Sequence, residues 1–259
     1  MIKITVLHNE LKTYNDDKSG LSLLIEADDK RVLFDVSMND DILKNAERLG
    51  ISLKVIDFVV VSHSHFDHTD GFRFIKNKNA VVIGHPNCFA KRYYEGKEVG
   101  CPLSVQELKN NFKQIIQTKK PYEFLPNFIF LGQIPRKTDF EGKTPIGKLE
   151  SNKDDFVIED SALAIKTDKG IIVVSGCSHS GICNIITHAK EVCKQEKVRA
   201  VIGGFHLFNK NAIDKTIEFF KSQNIEQVYP MHCLNEYAFS EFEKIGGKRI
   251  YCGGQITFD

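Results

Sequence analysis

The sequence predicts an α/β fold, a four-layer α/β/β/α sandwich, on three observations. Short apolar or β-branched runs alternate with amphipathic helical segments in both halves of the chain. The halves look like two similar sheet-and-helix layers, with no repeat of fixed period between them. The length, 259 residues, is enough to bury a large core without disulfide or metal staples.

The elements follow in order. ITVLH, LSLLIEA and RVLFDV are short strands separated by polar turns. Residues 40–49 carry Ile42, Leu43, Ala46 and Leu49 at helical spacing, and Gly50 stops that helix. VIDFVVVS is almost continuously apolar, as a strand buried on both faces should be, and AVVIG repeats the pattern after a short helical segment. The spacing then predicts a helix over 104–117. A Gly-, Pro- and charge-rich loop follows through PRKTDFEGKTPIGKLESNKDD. SALAIKT, GIIVVSG, RAVIGG and QVYPMH are strands of the second half, with helices expected over 181–195 and 212–222. RIYCGGQITF is expected to form a strand pair with a Gly-Gly turn. The chain is expected to be one domain, 1–259, with a lid or insertion at about 86–160.

Composition bounds the function. The 42% hydrophobic and 27% charged residues exclude a disordered, coiled-coil or collagen-like chain. A formal net charge of +1 argues against nucleic acid as a partner. No apolar run is long enough for a membrane span, and the opening MIKITVLHNELK lacks the marks of an export signal. Membrane association is not expected, and a cytoplasmic location is. The seven cysteines, an odd number with no Cys-x-x-Cys pair, read as reduced thiols.

The chemistry concentrates in SHSHFDHTDG, residues 62–71, directly after the buried VIDFVVV run. His63 and His65 are two apart, so in extended chain they share one side. Asp67 and His68 follow after the chain turns. One tetrahedral ion rarely takes four ligands from six residues, so two neighbouring ions fit better. Imidazole and carboxylate donors suit zinc, iron or manganese. Two near misses fail. GKTPIGKL has Leu149 where a phosphate loop needs Ser or Thr. SGCSHSG lacks the glycine spacing of a serine nucleophile elbow.

His-x-His-x-Asp-His after an apolar strand resembles the signature of the metallo-β-lactamase superfamily. Asp35 in VLFDVS, Cys177-Ser178-His179 and His232 fall where that superfamily places its remaining site residues. Together with Gly-Leu-Ser (20–22), GGFHL (203–207) and PMHC (230–233), the pattern is similar to the branch containing a dihydropterin-methyl ribofuranosylaminobenzene phosphate synthase and related metal-dependent hydrolases. Two departures from that branch are Asp70, where it has Gly, and Leu234-Asn235 after Cys233.

The resemblance implies a hydrolase with two divalent metal ions, zinc first and manganese or iron as alternatives, using a metal-bound hydroxide. His63, His65 and His179 would hold one ion. Asp67, His68 and His232 would hold the other, with Asp67 also the catalytic residue that orients the hydroxide. Asp35 would fix the tautomer of a ligating imidazole. Cys177 and His206 are placed beside the metals or against substrate. The alternative is a transferase of the 7,8-dihydropterin-6-methyl-4-(β-D-ribofuranosyl)aminobenzene 5'-phosphate synthase type, displacing pyrophosphate. The partner is then a small-molecule substrate, with phosphorylated molecules among the candidates and Lys91, Arg92, Arg136 and Lys137 as phosphate contacts or plain surface. The backbone amides at Ser180 and Gly181 open a helix and either hold an anion or form an ordinary cap.

Overall fold

The computed structural model describes residues 1–10 and 19–259. Leu11 and Lys12, the end of the opening motif, lie outside them.

A seven-stranded sheet runs in the order Gln255–Phe258, Ile2–Glu10, Gly20–Ala27, Lys30–Phe34, Phe58–Val60, Asn77–Gly84, Phe112–Gln117. A six-stranded sheet runs Gln227–Pro230, Val198–Gly203, Ile171–Ser175, Ala162–Ile165, Phe128–Phe130, Tyr122–Leu125. Side-chain alternation assembles the layers. Leu23 and Ile25 of one sheet and Leu163 and Ile165 of the other face the core between the sheets. Leu24 and Leu33 turn outward onto Ile42 and Ala46 of helix Asp41–Arg48. Ala162, Ala164, Ile171 and Val173 turn outward onto helices Ile182–Cys193, Lys210–Gln223 and Glu236–Lys244. Three apolar interfaces make four layers, so the expected α/β/β/α sandwich is the fold.

Several elements differ from expectation. Only Val105–Asn111 of the predicted 104–117 helix is helical, closed at its start by a Ser104–Glu107 capping box. Phe112–Gln117 is instead a strand that pairs in parallel with Asn77–Gly84. Edge pairing and burial of Phe112 override the local helical pattern there. At the C-terminus only Gln255–Phe258 is a strand, and it pairs with Ile2–Glu10 rather than with its own neighbour. The polar middle loop contains two short strands, Gly147–Leu149 and Asp154–Asp155, which join Arg92–Tyr94 and Lys97–Glu98 in a separate four-stranded sheet. Residues 86–160 therefore hold this small sheet together with three strands of the two large ones.

The ligand-type residues sit where parallel strands end. Lys30–Phe34 and Phe58–Val60 are parallel neighbours, as are Ile171–Ser175, Val198–Gly203 and Gln227–Pro230. Asp35, His63, His179, His206 and His232 follow the C-terminal ends of those five strands in turn. One edge of the sandwich thus collects residues from distant parts of the chain.

The amides that open helix Ile182–Cys193 are already filled. Ser180 N donates to Asp160 Oδ2 at 2.8 Å, Cys183 N to Glu141 Oε1 at 3.0 Å and Asn184 N to Glu141 Oε2 at 3.2 Å. Two of the protein's own carboxylates occupy the position considered for a substrate anion. Gly181 has φ 100°, and a Cβ there would lie 2.3 Å from Glu141 Cβ, so this close approach requires glycine.

Candidate metal centre

Three imidazoles converge first. His63 Nε2 and His179 Nε2 each lie 3.1 Å from His65 Nδ1. Burial, reinforced by neighbouring imidazoles, pushes His63 and His179 well below the ordinary histidine range, so both are neutral. A single shared proton cannot satisfy three inward nitrogens. A cation can.

The second group is Asp67, His68, Cys177 and His232, all buried, with donor atoms within 4.8 Å of one another. His232 Nε2 is 3.2 Å from Asp67 Oδ2, and His68 Nε2 is 3.1 Å from Cys177 Sγ. Burial pushes the His232 imidazole down, but Cys233 and the Asp67 carboxylate outweigh it and raise it to about 10. The same neighbourhood holds the Cys233 thiol well below its usual range despite burial. A proton on His232 thus stands beside the Asp67 carboxylate where a divalent ion would, and binding the ion would release it. The groups adjoin, with the His63 and His68 rings 4.3 Å apart.

A hydrogen-bond chain aims the nitrogens. His68 Nδ1 donates to Asp35 Oδ2 at 2.7 Å. Ser62 Oγ donates to the same oxygen at 2.7 Å, while Ser62 N donates to Asp35 Oδ1 at 2.8 Å. With its proton committed, Ser62 Oγ accepts from His63 Nδ1 at 2.9 Å. Both imidazoles then present Nε2 lone pairs inward. One carboxylate orients a donor in each group. Asp35 has φ 55°, a left-handed backbone that is costly outside glycine and characteristic of functional sites. Gly176 leaves the room required, because a Cβ there would lie 2.0 Å from Ser62 Oγ.

All six predicted ligands fall in these two groups. Cys177, expected beside the metals, stands among the donor atoms of the second. His206 lies against His179 with ring centroids 4.3 Å apart and planes tilted by 53°, and its Nδ1 is buried without a hydrogen-bond partner. His8 binds Ser37 Oγ at 2.6 Å and His85 lies 3.4 Å from Gln133 Oε1, so neither joins the centre. Three of the four suggested phosphate contacts are committed elsewhere. Arg92 is buried against Asp155 and Glu159, Arg136 bonds backbone carbonyls of Gly142, Phe156 and Val157, and Lys137 pairs with Glu191. Of the two departures in sequence, Asp70 accepts from Asn39 N and Arg73 Nε, and Asn235 caps helix Glu236–Lys244.

Sequence reasoning assigned no role to Ser62, Ser64, Ser19, Glu159 or Cys233. Ser62 and Ser64 alternate with the histidines, and Cys233 follows His232 directly, so adjacency was the available signal. Ser19 donates to Asp67 Oδ2 at 3.2 Å and Ser64 to Glu159 Oε1 at 2.8 Å. Nothing in local spacing connects those partners.

The donors fit divalent metal: a buried three-nitrogen set beside a buried oxygen, nitrogen and sulfur set. Comparisons with known proteins agree. The metallo-beta-lactamase superfamily model matches residues 15–189. The 7,8-dihydropterin-6-methyl-4-(beta-D-ribofuranosyl)-aminobenzene-5'-phosphate synthase of Methanocaldococcus jannaschii is 35% identical, covering 99% of this chain and 97% of that protein. The uncharacterized protein MJ0448 of the same organism is 33% identical over 95% of this chain and 94% of its own length. The crystal structure of Tm1679, a metal-dependent hydrolase of the beta-lactamase superfamily, superposes with a TM-score of 0.86 at 27% identity over the full length of both chains. Sandwich, motif and end-to-end likeness converge, and the chain belongs to the metallo-β-lactamase superfamily.

Proposed function

We propose that the protein is a hydrolase dependent on two divalent metal ions and acting on a small molecule. The observation that carries this is the adjacency of two complete donor groups built around residues 63–68. His63, His65 and His179 would hold one ion. Asp67, His68, His232 and Cys177 would hold the other, zinc being favoured by the nitrogen and sulfur donors. Bound ions supply Lewis acidity, making water nucleophilic near neutral pH and stabilising negative charge on the substrate.

The chain's own residues do the rest. Ser19 holds one Asp67 oxygen, leaving the carboxylate oriented to accept a proton from the attacking water. Asp35 and Ser62 fix which imidazole nitrogens face inward. His206, half-buried beside His179, offers Nδ1 to a substrate oxygen. His65 and His179, at 8% and 7% exposure against 0% for His63, His68 and His232, mark the open side.

The second reading is the transferase, favoured by the end-to-end likeness to the named synthase. In it a pterin methylene passes to an aryl acceptor and pyrophosphate leaves. Metal-loaded protein incubated with a dihydropterin-methyl pyrophosphate separates the two. Hydroxymethyl pterin formed with or without an aryl amine supports hydrolysis. A coupled product formed only with the amine supports transfer. A parallel screen of phosphodiesters, lactones and thioesters covers other hydrolase substrates, and no turnover of any, with two ions bound, would defeat the enzyme reading.

A further inference from the structure

We propose that Cys177 and Cys233 form a reversible oxidation site, a disulfide that closes the second donor group to metal. The pairing stands on sulfur positions alone, while the effect on metal rests on the two-metal reading above. Cys177 Sγ lies 3.0 Å from Cys233 Sγ, about 1 Å beyond disulfide bond length. The two residues follow strands Ile171–Ser175 and Gln227–Pro230, with Val198–Gly203 paired between them. Gly204 N bonds Gly176 O at 2.8 Å, Met231 N bonds Gly203 O at 2.9 Å and Leu207 N bonds Cys233 O at 3.0 Å. The backbone on both sides is thus held, and closure requires the two sulfurs to approach by about 1 Å.

The oxidant class is a peroxide, small enough for a buried site. One sulfur attacks a peroxide oxygen, so an S–O bond forms, the O–O bond breaks and one water leaves after protonation. The second sulfur attacks the first, so the S–S bond forms, S–O breaks and a second water leaves. Two thiols and one hydrogen peroxide become one disulfide and two waters. An added dithiol reverses it by exchange. In the disulfide, Cys177 Sγ beside His68 Nε2 is tied to Cys233 Sγ, and the second group loses its sulfur donor. A metal-held thiolate is conversely a protected nucleophile.

The test uses wild-type protein stripped of metal, and the same protein reloaded with Zn²⁺. Zinc uptake by the reduced protein is measured first, and failure there overturns the two-metal reading separately. Both samples then meet hydrogen peroxide, with alkylation and non-reducing peptide mapping as readout. The expected result is a Cys177–Cys233 cross-linked peptide in stripped protein, formed several-fold more slowly when zinc is bound. Zinc capacity of the cross-linked protein should fall by about one ion per chain and return with dithiothreitol. Cys233→Ser should show no reversible loss. Absence of the cross-link, or a cross-linked protein with unchanged zinc capacity, overturns the proposal.

Discussion

Asp35 Oδ2 accepts the Nδ1 proton of His68 at 2.7 Å in a fully buried position. The same carboxylate reaches His63 through Ser62. Asp35→Asn keeps the size but removes the charge, and its NH2 must face at least one of the three donors that the carboxylate now satisfies. Metal affinity should fall by about 10–100-fold, read by competition with a chromophoric chelator. Unchanged affinity would show that the imidazoles need no such anchor.

The two donor groups predict separable losses of metal. His63→Ala should remove about one of two ions per chain from the three-imidazole group. His232→Ala should remove about one from the other. Elemental analysis of tag-free protein checks both, and the double variant should hold neither. Two ions retained in either single variant would sink the assignment.

Glu159 predicts a pH dependence of stability. Burial raises its carboxyl from 4.5 to about 7, although Arg92 pulls the other way. The folded state therefore holds a proton that the unfolded chain releases. That contribution is fully present below about pH 4.5 and is lost as pH rises through about 7. Glu159→Gln, which stays neutral, should remove a loss on the order of 3 kcal/mol between pH 4.5 and 8. Urea unfolding of both proteins across that range gives the difference, and parallel curves would contradict it.

Glu141 predicts a capping effect. Its carboxylate takes two amide protons at the start of helix Ile182–Cys193, the helix that follows His179. Glu141→Ala should cost about 2 kcal/mol, because those buried amides lose their acceptor. Glu141→Gln should cost less, since one amide oxygen remains. Equal urea midpoints for all three proteins would refute the capping role.

What the sequence disclosed follows from range. The i, i+2 spacing of His63 and His65 and the apolar run before them are local, so the cluster was legible. His179 and His232 were legible as strand-end residues through resemblance. Cys177 as one of the converging donor atoms was not, because buried cysteine is so often plain core. Ser64 with Glu159 and Ser19 with Asp67 are pairings across long loops that no periodicity announces. The fold followed the same rule. Short apolar and β-branched runs gave away most strands of the large sheets, whereas Phe112–Gln117 is a strand only because Asn77–Gly84 offers an open edge. Helix Glu236–Lys244 and the small sheet through Arg92–Tyr94 escaped detection because their segments are short and mixed in polarity.

The gathering of strand ends at one edge has a consequence for biosynthesis. His63, His65 and His68 leave the ribosome long before His179, and His179 before His232. A nascent chain carries an incomplete set of donors until His179 and His232 have emerged. Neither donor group is finished until the second sheet has folded against the first. Tight capture of metal by the proposed centre would therefore wait for strand Gln227–Pro230, and a chain cut short before it would lack a complete second group.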